Sequence, residues 1–175
     1  MTQDKQIIGR IAKISFPSDS SALIPAKIDT GADSSSVWAS SLYIDDAGVL
    51  HYELFDASSK YYTGQVHTAK SFTVRLIRSS NGTTQVRYTV TMGVIIDGKK
   101  IRATFTLADR SKNTYPVLVG CKLLNRKFLV DVSRGYTRVD DLKVRSSQLN
   151  KELRKNPKKF FEKYHAENQR GDVDL

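Results

Sequence analysis

Asp29 is followed at once by Thr30 and Gly31, and the run before it, Leu23 to Ile28, is apolar enough to read as a strand. A carboxylate placed just past a strand, on a turn that glycine lets bend sharply, stands at a rim where it can meet a substrate. Thr30 adds a hydroxyl able to hydrogen-bond backbone within or across such a turn. Acid–base chemistry by carboxylates is strongest when a second carboxylate stands beside the first. Two carboxyl groups about 3 Å apart share one proton, so one serves as base towards a water and the other as acid towards the carbonyl. About ninety residues after the acid comes Tyr115-Pro116-Val117-Leu118-Val119-Gly120, a short apolar run that ends in glycine.

This pair of segments, in this order and at this separation, resembles the retropepsin-like aspartic proteases. Lys27-Ile28-Asp29-Thr30-Gly31-Ala32, the Tyr115 to Gly120 segment and Phe128-Leu129-Val130-Asp131-Val132 are similar to a bacterial family catalogued as ATP-dependent zinc proteases and associated with glutamate-ligase systems. The resemblance covers about Ile7 to Val139. It implies that Asp29 is catalytic and that Thr30, Gly31, Ala32, Val119 and Gly120 scaffold it. One such motif per chain implies a homodimer in which two copies of Asp29 meet at the two-fold axis, with Thr30 bracing the two loops. The activity implied is hydrolysis of a peptide bond by an Asp-activated water, on an extended peptide or protein substrate that is acidic or glutamate-modified. The alternative is a non-catalytic module of the same fold that binds protein or nucleic acid and keeps Asp29 as a structural acid. Relatives carry arginine after the later glycine, where it pairs with the aspartate corresponding to Asp33. This chain has Cys121 there, which leaves Asp33 to pair with Lys122 or Arg126 or to be solvated.

Other chemistries find less support. Cys121 as a nucleophile would need His51 or His67 beside it. Asp109 reads as a loop residue and Asp131 as a strand-end ion-pair partner. One cysteine and three scattered histidines give no metal-ligand spacing, so no metal is expected despite the family's catalogue name. No Gly-x-x-x-x-Gly-Lys-Ser/Thr loop occurs, and no cofactor is expected.

The elements that would hold Asp29 are strands. Ile7 to Ser15 alternates as a first strand, and Ala22 to Ile28 delivers the acid. Trp38, the only tryptophan, reads as a core anchor. Phe72, Val74 and Leu76 alternate against Thr73, Arg75 and Ile77, the mark of a half-buried strand, and Asn81-Gly82 turns it into a partner running from Thr84. Asp97-Gly98 makes a second hairpin into Lys99 to Leu107. Val117 to Gly120 is too short for a helix, Cys121 to Arg126 suits a helical turn or two, and Phe128 to Val132 and Gly135 to Val139 read as closing strands. The fold expected is all-β, a retropepsin-like closed or partly open barrel with a short helix and a basic helical tail.

At 175 residues and 39% hydrophobic content, the chain supports one domain with a core, residues 1–145, and the tail, residues 146–175. Ser146 to Asn156 is helix-like, and Lys158 to Glu167 carries Phe160, Phe161 and Tyr164 at helical spacing, which reads as an aromatic face packed on the protein itself. The net charge of +10 favours anionic partners. From Lys143 to Arg170 nine Lys/Arg face three Glu. No aromatic RNA-binding signature accompanies that charge, so nucleic acid is not the expected partner. No apolar run spans a membrane and no leader pattern opens the chain, so the cytoplasm is expected, or the periplasm if a leader has been trimmed.

Overall fold

The computed structural model describes residues 5–78, 84–135 and 139–170. The chain divides into two compact units, residues 1–135 and 136–175.

The first unit contains eleven strands among the described residues: β1 (Gln6–Ile8), β2 (Ile11–Phe16), β3 (Ser20–Ile28), β4 (Ser35–Ile44), β5 (Leu50–Leu54), β6 (Val66–Ala69), β7 (Thr73–Arg78), β8 (Thr84–Ile96), β9 (Lys99–Ala108), β10 (Val117–Val119) and β11 (Phe128–Val130). One short helix, α1 (Cys121–Leu124), follows β10. Strand β10 pairs in parallel with β3 and antiparallel with β4, which shuts the ring β3-β2-β8-β9-β4-β10 into the closed barrel expected. Strands β5 and β6 extend the sheet beyond β4, and β7 extends it beyond β8. The Asp97-Gly98 hairpin forms as read, with φ of 44° and 85°, the positive pair that a two-residue turn between twisted strands demands.

Inward-pointing residues of the ring make one core. Phe16, Phe55 and Phe105 are essentially sealed from solvent, and Phe16 meets the other two rings edge-on at centroid distances of 6.4 and 5.9 Å. Trp38 joins them against Phe55 at 6.1 Å, as its anchor reading required. Burying each such ring stabilises the fold by about 1.5–3 kcal/mol relative to leaving it exposed.

Three local expectations change. The run from Ile7 to Ser15 is two strands: β1 leaves the barrel to pair with β11, and only β2 joins the ring. On β7 the alternation holds but the faces are reversed, for Val74 and Leu76 are 56% and 73% exposed while Arg75 and Ile77 are half-buried. The β7–β8 hairpin borders a cleft, where Arg75 and Ile77 are its more covered residues on β7. Val139, read as part of a closing strand, is helical. The Asn81-Gly82 turn and residues 136–138 lie outside the described residues.

In the second unit, α2 (Val139–Lys155) begins seven residues ahead of the boundary read at residue 146. Asn156 accepts a hydrogen bond from the Lys159 amide at 3.0 Å and so caps α3 (Pro157–Arg170), whose first residue is a proline that has no amide to lose. Lys163 and the Tyr164 hydroxyl both reach Glu152 on α2, at 3.1 and 3.2 Å, and Phe160 packs on Tyr164. Among the described residues no helix is long and apolar enough to cross a membrane.

Candidate active site

Parallel pairing of β3 with β10 sets Ile28 beside Val119, and the next amide, that of Asp29, donates to the Val119 carbonyl at 2.9 Å. Asp29 therefore sits where the sequence reading put it, on the loop at the end of β3 and against the Val117 to Gly120 segment. Within the loop the Gly31 amide donates to Asp29 Oδ1 at 3.1 Å and the Ala32 amide to the Asp29 carbonyl at 3.2 Å. Lys27 Nζ lies 3.7 Å from Asp29 Oδ2, whose side chain is 29% exposed.

Gly120 is required for the loop and β10 to approach. A Cβ there would stand 2.6 Å from the Ser34 carbonyl oxygen and 2.7 Å from that of Ala32. The Gly120 amide donates to Ser35 Oγ at 3.1 Å. The first amides of α1, which have no partner within a helix, donate outward: Cys121 to the Ala32 carbonyl at 2.7 Å and Lys122 to the Asp33 carbonyl at 3.1 Å. Ala32, Val119 and Gly120 thus hold the loop by backbone alone. Thr30 is exposed, and its hydroxyl makes no hydrogen bond among the described residues.

Cys121 donates its thiol to the Thr30 carbonyl at 2.9 Å. Asp33 takes Lys122 as its partner at 2.6 Å, and Arg75 approaches the same oxygen at 3.7 Å. The Lys122 hydrogen bond is the main cause holding the Asp33 carboxyl below the ordinary aspartate value of 3.8. His51 and His67 pair instead with Asp45 at 2.7 Å and Asp19 at 2.9 Å. Asp109 accepts from the Ser111 amide in its loop and Asp131 pairs with Arg134 at 3.0 Å, both in the roles read for them.

A cleft of about 580 Å³ opens between the Gly31 to Ser34 loop and the β7–β8 hairpin. Arg75, Arg78, Arg87 and Arg110 line it. Asp29 is not itself among the lining residues, but its charge reaches Arg110: burial pushes the Arg110 guanidinium below its ordinary value, Arg87 adds to this, and Asp29 opposes it. Arg110 Nε donates to the Tyr115 carbonyl at 3.2 Å, and Arg87 donates to Gln85 at 3.0 Å. Among the described residues Arg78, Arg87 and Arg110 have no carboxylate partner. The sequence reading missed this wall. Counting outward from Asn81-Gly82 brings Arg75 opposite Arg87 to within one residue, which was the available signal.

Among the described residues no three of His, Cys, Asp and Glu come together, and each Asp–His pair offers two donors where a tetrahedral site needs three or four.

A closed barrel that seats an Asp-Thr-Gly loop on a short parallel strand is a retropepsin-like fold. Residues 7–141 match the family described as RimB-like, retropepsin-like aspartic endopeptidase RimB, and the chain belongs to that family. Two curated Shewanella proteins, from S. pealeana and S. halifaxensis, are each 27% identical to it over 139 residues and each described as a probable alpha-L-glutamate ligase. That match covers 78% of this chain but only 30% of either relative, so the chain spans under a third of their length. A crystal structure of a Legionella pneumophila protein of unknown function shares the fold, with a TM-score of 0.55 at 20% identity, covering 77% of this chain and 98% of that one.

Proposed function

We propose that this chain is one half of a homodimeric aspartic endopeptidase that cleaves acidic polypeptide segments. The observation that carries the reading is the meeting of two features: Asp29 fixed by Val119 and Gly31 at a barrel rim, and four arginines on the cleft wall beside the same loop. Two copies of Asp29 sharing a proton would activate a water against the scissile carbonyl. The arginines would neutralise the side chains of an extended acidic peptide, so that it, and not an apolar one, is retained. The description of the Shewanella relatives makes a glutamate-rich chain a coherent substrate.

Two features support the dimer. The Thr30 hydroxyl is exposed and makes no hydrogen bond among the described residues, which leaves it available to a partner loop. Ile7 and Leu129 stand opposite each other on the β1–β11 ribbon, 49% and 52% exposed, and Leu129 lines the same surface hollow as Thr30. A self-complementary contact there would cover apolar surface and bring the two loops together.

The test is cleavage of a glutamate-rich peptide by the wild type and by Asp29→Asn, followed by mass spectrometry, with oligomeric state from light scattering. The substitution is nearly isosteric and should abolish cleavage while leaving unfolding unchanged. A chain that binds the peptide without cutting it, equally in both forms, would be the non-catalytic binding module instead. Cleavage by Asp29→Asn at the wild-type rate would refute the mechanism.

A further inference from the structure

We infer that a second cavity, of about 230 Å³, on the far side of Arg75 from the cleft, is an anion site for a carboxylate or phosphate group. Arg75 and Ser34 line both spaces, and on this side they are joined by Arg102 and Thr104 from the outward face of β9 and by Lys122 and Lys127 from around α1.

Four cations thus surround a space large enough for an oxyanion with its residual water. Their compensation is incomplete. Asp33 is the carboxylate that Lys122 and Arg75 contact, while Arg102 and Lys127 have no carboxylate partner among the described residues. Like charges around a concave wall repel, and the repulsion is relieved by an acceptor that several can share. The site is partly organised already: Arg75 Nη1 donates to Ser34 Oγ at 3.0 Å, and Lys127 Nζ is held by the Asn125 carbonyl at 3.3 Å. Hydroxyls of Ser34 and Thr104 complete a set of donors suited to oxygen ligands.

Occupancy would reach the loop that carries Asp29. An anion in this cavity competes with Asp33 for Lys122 and Arg75, and Lys122 also donates its amide to the Asp33 carbonyl at the root of that loop. The anion can be free in solution or be a side chain of a peptide that passes Arg75 out of the cleft.

Amide chemical shifts of the full chain, titrated with inorganic phosphate and separately with glutamate-rich peptides of two and of eight residues, separate these sources. Saturable movement of the Ser34, Thr104 and Lys127 amides with phosphate alone assigns a free anion. The same movement with the eight-residue peptide only assigns a side chain. In either case Arg102→Gln and Lys127→Gln, measured singly and together, should weaken the response about tenfold for the pair, the loss expected for removing charge-assisted hydrogen bonds. Arg87→Gln, on the cleft wall alone, should leave the phosphate response of Thr104 and Lys127, which do not line the cleft, unchanged. Absence of a saturable response to all probes, or a response that survives both substitutions unweakened, overturns the inference.

Discussion

Arg75 on β7 stands directly opposite Arg87 on β8, like charge facing like charge across one antiparallel rung. Such pairs cost stability, by about 0.2–1 kcal/mol, so their presence on the cleft side of the hairpin is an expense that folding alone does not explain. Arg87→Gln should leave the protein as stable as the wild type or slightly more so at low salt, while raising KM for an acidic peptide. Urea unfolding alongside peptide kinetics checks both halves. Added salt should raise the wild-type KM more than that of the variant, because screening removes an attraction that the variant lacks.

Gly120→Ala should be disproportionately costly. Its Cβ would press on two carbonyl oxygens that belong to backbone and cannot swing aside, and overpacking of this kind costs about 1–3 kcal/mol. The strain falls on the Asp29 loop, so peptidase activity should be lost beyond what destabilisation explains. Gly93→Ala is the control, since nothing lies within 4 Å of its added methyl, and a change within about 0.5 kcal/mol is expected by denaturant titration.

The Asp33–Lys122 pair makes a pH-dependent contribution of defined sign. The folded carboxyl titrates below the ordinary 3.8, so it stabilises the fold above that pH, and the contribution fades as pH falls through the lower, folded value. Asp33→Asn should therefore be less stable than wild type at neutral pH, with the gap closing in strong acid. Thermal unfolding of both proteins across that range measures it, and a gap that widens towards acid would contradict the pairing.

Phe105→Ala should cost about 3–5 kcal/mol, since the ring is sealed in the barrel and packs edge-on against Phe16. Leu76→Ala should cost under about 0.5 kcal/mol, because Leu76 is 73% exposed. Equal losses in chemical denaturation would mean that the hairpin's apolar face is covered in solution.

Residues that act through local geometry were legible in the sequence. Asp97-Gly98 specified its turn, Trp38 its burial, and Asp29-Thr30-Gly31 with Val119-Gly120 the seat of the acid. Features that arise only when distant segments meet were not. Arg78, Arg87 and Arg110 become neighbours through strand register and loop packing, and Cys121 gains its meaning from the Thr30 carbonyl it touches. Alternation on β7 gave the right period and the wrong faces, because periodicity records that two sides differ without recording which one meets solvent. The start of α2 was missed because Gly135 to Val139 was read as a closing strand and residues 139–145 mix apolar and charged types.

Strand β10 has three residues, and it is the piece that shuts the barrel, slotted between β3 and β4 about eighty to ninety positions upstream. Closure across such a separation carries a loop-entropy cost that local hairpins avoid, so barrel completion should be the slow event in folding. During synthesis, β2, β3 and the hairpin of β8 with β9 can all form while β10 is still unmade. The Asp29 amide lacks its acceptor until the Val119 carbonyl arrives. A half-made chain therefore carries the acid without its seat, and the loop that holds Asp29 is completed only when the strand that shuts the barrel has been joined.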